Sequence, residues 1–339
     1  MKAIHVTSLD GPDKLEVREI DRPKPGPNEA LIEVSYAGVT FPEVLQTRGM
    51  YQVRHELPFV LGSEAAGTVV EVGEGSKFSV GDRVATNPGK GTFGEYAIAP
   101  DSKTVKLPDS TPFAYGAGMP MNLLTADFSL RMRADLQPGQ TVLIHGAAGG
   151  LGSAGVQLAL AMGAEVVAVV SSDDKAEMVK GLGAQHVVKA DGFKDAVKEI
   201  YPDGVDLVFD PVGGDRFTDS IRSLKPFGQL HVLGFTAGEI PTVKVNRLLL
   251  KNVSVVGVAW GAALQGKPEF ISEQWDAIYE HVSAGRLDPN IHAIYPLDRA
   301  SEALAVLDER AVLGKVLLEV KPEADQPDSI RENALVSSK

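Results

Sequence analysis

The 339-residue chain contains no cysteine. Disulfides, cysteine-ligated zinc, iron–sulfur clusters and a thiol nucleophile are therefore excluded. It also lacks an apolar run of about 18 residues, so no segment is expected to span a bilayer. The first residues, MKAIHVTSLDG, have no apolar stretch of the secretory kind, and a cytoplasmic location is expected. Positive charge is in deficit, 33 Lys and Arg against 45 Asp and Glu, with a net charge of -12 and no basic cluster. That balance argues against nucleic acid or an anionic membrane as a partner. Internal repeats and low-complexity tracts are absent too. A hydrophobic content of 44% is ordinary for a globular protein, and the length suits two domains with separate cores.

What is present centres on Thr141–Ala161, TVLIHGAAGGLGSAGVQLALA. Val142, Leu143 and Ile144 form a β-type run, Gly146–Gly152 a glycine-rich turn, and Val156, Leu158, Ala159 and Leu160 a helical pattern. Strand, turn and helix in that order give the context of a dinucleotide-binding motif, here Ala147-x-Gly149-x-x-Gly152. Gly149 lets backbone approach a pyrophosphate, and Gly152 lets helix and strand pack closely. Gly150 and Leu151 contribute N–H groups at the positive end of the helix, where an anion is stabilised.

Before this motif the chain is β-rich. Lys2–Thr7, Leu15–Ile20, Ala30–Tyr36, Thr68–Val72, a turn into a strand at Val80–Val84, and Gly94–Ala99 read as short strands between Gly/Pro turns. They imply a compact, barrel-like β-domain. A short helix is expected from Pro42 to about Thr47. Residues 112–134 read as helical, interrupted at Met119-Pro120. Strands then fall near 141–145, 165–170, 186–188, 205–209, 228–234 and 253–256, with helical segments between the first five. This alternation predicts a doubly wound parallel sheet. Helix at 268–284, strand at Ile291–Tyr295, helix at Asp298–Glu309 and strand at Val316–Val320 follow. The tail from Lys321 is polar and reads as loose. The dinucleotide domain, 125–261, thus interrupts a β-domain built from 1–124 and 262–339. A ligand is expected in the cleft between them, at the carboxyl ends of the parallel strands.

The second strand of the sheet ends at Val170, without the acidic residue that takes a ribose 2′-hydroxyl in NAD sites. Ser171, Ser172 and Lys175 follow, and hydroxyls with an ammonium suit a 2′-phosphate. The expected cofactor is NADPH. Asp173 and Asp174 read as the acidic first turn of the next helix.

The order of these parts, with GVTFPEVLQTRGMY (Gly38–Tyr51), PFVLGSEAAGTVVEVG (Pro58–Gly73), GDRV (Gly81–Val84), HGAAGGLG (His145–Gly152) and DPVGG (Asp210–Gly214), resembles the zinc-independent quinone oxidoreductases of the medium-chain dehydrogenase/reductase superfamily. The resemblance covers about residues 1–320. It implies a Rossmann-type sheet plus a GroES-like β-barrel catalytic domain, NADPH use and a homodimer paired along the strand in Val253–Trp260. Zinc-dependent relatives place a histidine in a Gly-His-Glu motif; here the motif is Gly62-Ser63-Glu64. The histidines, among them His5, His55 and His145, show no ligand spacing, and no metal site is expected. A hydride acceptor must then be activated already, as a quinone or an α,β-unsaturated carbonyl is. By resemblance Tyr51 faces the substrate, either donating a proton or packing on the cofactor. Thr125 matches a threonine near the nicotinamide, or is a helix-interior hydroxyl. Leu233, Gly234 and Phe235, with Gly257 and Val258, hold the carboxamide through their backbones, or are ordinary strand-end turns. Thr40 stands where these reductases commonly carry asparagine, and Glu64 reads equally as structural or catalytic. The expected activity is NADPH:quinone oxidoreduction. An enoyl or alkenal reductase and a non-catalytic NADPH-binding protein remain as alternatives.

Overall fold

A computed structural model describes residues 1–321, and the polar tail after Lys321 lies outside the described residues. The chain divides into two compact units. Among the described residues, one comprises 1–122, 266–283 and 289–321; the other comprises 123–265 and 284–288.

The first unit contains β1 (Lys2–Val6), β2 (Glu16–Glu19), β3 (Glu29–Val39), β4 (Phe59–Val60), β5 (Glu64–Val72), β6 (Arg83–Thr86), β7 (Tyr96–Pro100) and β8 (Thr104–Lys106). Helix α1 (Phe41–Gln46) follows β3, and α2 (Phe113–Gly118) follows β8. β1 sits between β2 and β4 in a small antiparallel sheet. β3 organises the larger sheet. Its 11 residues carry no proline, so every backbone N–H can enter a ladder, and it pairs antiparallel with both β5 and β7. Ile32, Val34, Val69, Val84 and Phe93 bury their side chains beneath it. Each such side chain supplies roughly 1.5–3 kcal/mol of hydrophobic stabilisation.

The second unit follows the expected alternation. In order come α3 (Pro120–Asp127), whose first residues belong to the first unit, β9 (Thr141–Ile144), α4 (Gly150–Ala161), β10 (Glu165–Val170), α5 (Asp173–Gly181), β11 (His186–Lys189), α6 (Phe193–Ile200), β12 (Val205–Asp210), α7 (Phe217–Ser223), β13 (Leu224–Val232), α8 (Asn246–Lys251), β14 (Ser254–Gly257) and α9 (Trp260–Ala263). The six strands are parallel in the order β11-β10-β9-β12-β13-β14. Strand order reverses between β9 and β12, the switch point at which such sheets bind ligands outside their carboxyl ends.

β13 and α8 differ from the sequence reading. β13 begins at Leu224 rather than near 228, because the Lys225–Gly228 stretch is absorbed as an irregularity. The register slips between Val205 and Leu207 of β12, and Phe227 takes φ 67°. The helix α8 was not expected between the fifth and sixth strands. It spans six residues and buries none of them, so it leaves no apolar periodicity to read.

The chain then returns to the first unit through α10 (Phe270–Ser283), β15 (Ile291–Pro296), α11 (Ala300–Asp308) and β16 (Lys315–Glu319). β16 pairs antiparallel with β3, Val316 opposite Val39 and Glu319 opposite Tyr36. Among the described residues no helix is long and apolar enough to cross a membrane.

Candidate functional site: a nucleotide cradle and a buried acid cluster

The glycine-rich turn lies at the switch point, between β9 and α4. Gly149 is the N-cap of α4 and has no side chain to cap it. The first intrahelical bond runs from the Ser153 N–H to the Gly149 carbonyl at 2.8 Å. The N–H groups of Gly150, Leu151 and Gly152 precede it and face outward from the positive end of the helix. The two motif glycines are there for different reasons. A Cβ on Gly152 would lie 2.1 Å from the Gly146 carbonyl oxygen, so helix and turn touch backbone to backbone. A Cβ on Gly149 would meet only that same oxygen, at 3.4 Å, and φ is an ordinary -82°. Neither strain nor internal packing requires glycine at 149. What the missing side chain leaves is open space over three N–H donors, and these residues fit a pyrophosphate.

The other carboxyl ends adjoin this turn. The Ala147 N–H donates to Val169 of β10 at 3.3 Å. A Cβ at Gly146 would lie 3.1 Å from Val212, just beyond β12, and one at Gly213 would lie 3.1 Å from the Phe235 ring, beyond β13. The Leu233 N–H donates to Asp210 at 2.9 Å, a Cβ at Gly234 would lie 3.1 Å from the Pro211 oxygen, and the Val258 N–H donates to Val232 at 3.0 Å. Gly257 has open space where its side chain would be. So Leu233, Gly234, Phe235, Gly257 and Val258 are brought to the same edge of the sheet as the cradle. Thr125 is in α3, 9% exposed. The DPVGG turn is local. Asp210 Oδ1 accepts the Val212 and Gly213 N–H groups, each at 2.9 Å, and burial pushes this carboxyl up.

Beyond β10, Lys175 donates to the Ser171 hydroxyl at 3.4 Å, placing an ammonium and a hydroxyl together at the strand end. Ser172 is the N-cap of α5, with Asp173 and Asp174 in its first turn. Lys189 reaches across from β11 to Asp173 at 2.6 Å. The two acids are held in the lower carboxylate range, Asp173 by Lys189 and Asp174 by the Ser172 hydroxyl.

In the first unit, Tyr51 lies on the loop after α1, partly buried. Burial, together with the charge of Glu43, raises its phenol above the ordinary value. Arg48, which opens this loop, donates to both carboxylate oxygens of Asp308 on α11, at 2.9 and 2.5 Å. In the first turn of α1 is a wholly buried acid, Glu43. It accepts the Thr40 N–H at 2.8 Å, the Thr40 hydroxyl and the Ser63 hydroxyl. Beside it Glu64, also fully buried, pairs with Lys315 of β16 and accepts the Met121 N–H at 2.6 Å. Glu64 is thereby engaged by an ammonium and a backbone N–H. A Cβ on Gly38 would lie 2.3 Å from the Glu64 carboxylate, which is why glycine is needed at that position.

Ser63 occupies the metal-ligand position of the Gly-Ser-Glu motif. Its hydroxyl is committed to Glu43, and the chain has no cysteine to complete a site. Among the described residues no three His, Asp or Glu side chains converge. This donor set does not fit a zinc ion. The sequence reading passed over Glu43 and Lys315. Thr40-x-x-Glu43 is a capping-box spacing and could have revealed the first, since both reciprocal bonds are made. Lys315 reaches its partner across 251 positions and leaves no local signal.

Two family models match the chain. One, described as Alcohol dehydrogenase GroES-like domain, covers residues 26–109. The other, described as Zinc-binding dehydrogenase, covers 150–283. Quinone oxidoreductase-like protein 2 of Bos taurus is 36% identical over 312 residues, 91% of this chain and 89% of the relative. A 2-haloacrylate reductase of Burkholderia sp is 31% identical over 319 residues, 91% of this chain and 96% of the relative. The crystal structure of Escherichia coli quinone oxidoreductase complexed with NADPH superposes with a TM-score of 0.87 at 28% identity, covering 94% of this chain and 100% of that one.

Proposed function

The chain belongs to the quinone oxidoreductase family of the medium-chain dehydrogenase/reductase superfamily, with a Rossmann-type and a GroES-like domain, and on that premise we propose that it is an NADPH-dependent reductase of quinones that works without a metal ion. The observation that carries the reading is Gly149, a glycine that neither backbone nor packing demands, placed over three donor N–H groups. When bound, NADPH supplies the hydride. Gly150, Leu151 and Gly152 hold the pyrophosphate, and Ser171 and Lys175 bind the 2′-phosphate. Thr125, with the backbone at Leu233–Phe235 and at Gly257 and Val258, orients the nicotinamide. A Ser63 hydroxyl bonded to Glu43 offers no Lewis acid, so the acceptor must delocalise the incoming charge itself, as a quinone does. Tyr51 hydrogen-bonds the acceptor oxygen and supplies its proton. A second copy of the chain pairs along β14.

The similarity to a 2-haloacrylate reductase favours one other reading, an activated C=C bond as acceptor, which needs the same hydride and the same stabilised anion. NADPH oxidation with 1,2-naphthoquinone, an alkenal and crotonyl-CoA separates the readings. Fastest turnover of the quinone is expected, with Tyr51→Phe lowering kcat at least about tenfold, short of the roughly hundredfold or more that a full general acid supplies, while NADPH affinity holds. NADPH binding without turnover of any acceptor would make the protein a nucleotide-binding protein only.

A further inference from the structure

A polar bond is buried inside the nucleotide unit and takes no part in the cradle. It joins Ser129 and His231, both fully buried and 102 positions apart in the chain. His231 Nε2 lies 3.0 Å from Gln229 Oε1, an oxygen that can only accept, so Nε2 carries the ring proton. Nδ1 is then an acceptor, and the Ser129 hydroxyl donates to it at 2.9 Å. His231 is in β13. Ser129 is in a single π-helical turn, Phe128–Arg133, that continues α3. The Ala134 N–H reaches back to the Ser129 carbonyl at 3.0 Å, so the turn is built on Ser129 itself. Such turns recur at functional sites.

Helix and strand run in opposite directions here. Residues 134–140 carry the chain from the π turn to the amino end of β9. There the Gly139 N–H bonds Gly163 and the Glu165 N–H bonds Gln140, each at 2.8 Å, at the amino ends of β9 and β10. The helix therefore descends toward the amino ends of the strands, and stepping back along it from Ser129 leads toward their carboxyl ends. Thr125 is four residues back, about 6 Å and about one turn along a helix. Leu233 is two residues beyond His231, about 6.6 Å along a strand and on the same face. The Ser129–His231 bond thus sets Thr125 level with Leu233. A slip of one helical residue would turn Thr125 away by about 100°.

We propose that Ser129 and His231 are positioning residues for the nicotinamide: their hydrogen bond holds α3 in register with β13, so that Thr125 and the backbone at Leu233 close on one ring together. This rests on the reading that Thr125 and Leu233–Phe235 orient that ring. The groups read as holding the other half of the cofactor, Gly150–Gly152 and Ser171 with Lys175, start α4 and follow β10. Neither segment carries Ser129 or His231. The register therefore bears on the nicotinamide half of NADPH and not on the adenosine half.

Calorimetric binding to the full chain tests it, with NADPH and with adenosine 2′,5′-bisphosphate, which lacks the nicotinamide half. Ser129→Ala should weaken NADPH about tenfold, toward the upper end for one hydrogen bond, and leave the bisphosphate's affinity unchanged. That variant also strands His231 Nδ1 without a donor, which destabilises the fold. Ser129→Ala combined with His231→Leu removes both partners, so the melting temperature should recover while the loss of NADPH affinity persists. A bond that served stability alone would let NADPH affinity return with the melting temperature, and that result would overturn the proposal. Equal weakening of the two ligands, or no weakening of either, would overturn it as well. No acceptor is needed for these measurements. Split affinities in a protein that reduces no quinone would sink the quinone reading and leave the register intact. A wild type that binds the bisphosphate as tightly as NADPH would sink the register and leave the quinone reading, and one that binds neither would sink both.

Discussion

Two buried histidines show how single residues set the pH range of this fold. His145 ends the strand–turn junction before the glycine cradle. Ser220 gives its hydroxyl proton to the Arg216 carbonyl at 3.1 Å, so it accepts from His145 Nε2 at 2.8 Å, leaving Nδ1 bare and the ring neutral. His231 faces the Gln229 amide oxygen with Nε2 and the Ser129 hydroxyl with Nδ1, again a neutral arrangement. Burial, with Arg216 near the first and Arg133 near the second, lowers the two from 6.5 to about 3 and about 4. A folded value below the unfolded one means that the unfolded chain binds more protons. Stability is therefore fully present above pH 6.5 and is lost as pH falls toward those lower values. At 1.36 kcal/mol per unit, each histidine removes roughly 2 kcal/mol between pH 6.5 and 5. Denaturant titrations at the two pH values should show His145→Asn losing about 2 kcal/mol less than the wild type over that interval. Equal losses would mean that His145 is not the group being charged.

At the scale of elements, the junction of β9 and α4 separates binding from folding. Gly152→Ala must force the turn and the helix apart, since its Cβ would fall 2.1 Å from a backbone oxygen. Overpacking backbone in this way costs roughly 1–3 kcal/mol or more. Gly149→Ala meets no such contact and should cost about 1 kcal/mol or less, as an N-cap change. Its methyl group instead occupies the pyrophosphate's space, so NADPH affinity, measured by nucleotide fluorescence, should fall at least about tenfold, 1.4 kcal/mol. Undiminished affinity in Gly149→Ala would remove the cradle from the nucleotide site. This junction was legible in the sequence because its strand, turn and helix determinants are contiguous. The strand ends at Leu233 and Gly257 were legible for the same reason. The buried acid cluster was not, since Glu64 and Lys315 meet only after β16 has returned to β3. Helix α8 escaped notice because it buries nothing, and β4 because two residues carry no period.

The whole molecule carries an asymmetry between the two edges of its parallel sheet. At one edge, β11 ends in Lys189 and carries His186, charge and polarity of the kind that discourages a further strand from docking. At the other, β14 reads Ser-Val-Val-Gly, with no charge to blunt it. Apolar residues stand exposed around that second edge. Leu249 and Leu250 of α8 are 76% and 79% accessible, and Phe227, whose N–H bonds Asn252 just ahead of β14, is 78% accessible. An unpaired, uncharged edge flanked by exposed leucines is unfavourable in water for a lone chain, and a second copy brings the same edge and the same leucines to meet it. Light scattering should therefore give twice the 36.0 kDa of one chain. Leu249→Glu combined with Leu250→Glu should return the single-chain mass, because each copy then presents like charge to the other. NADPH affinity should survive in that variant, since both substitutions lie on α8, which supplies none of the residues proposed to hold the nucleotide. A wild-type chain that scatters as a monomer would leave the exposed edge to some other partner.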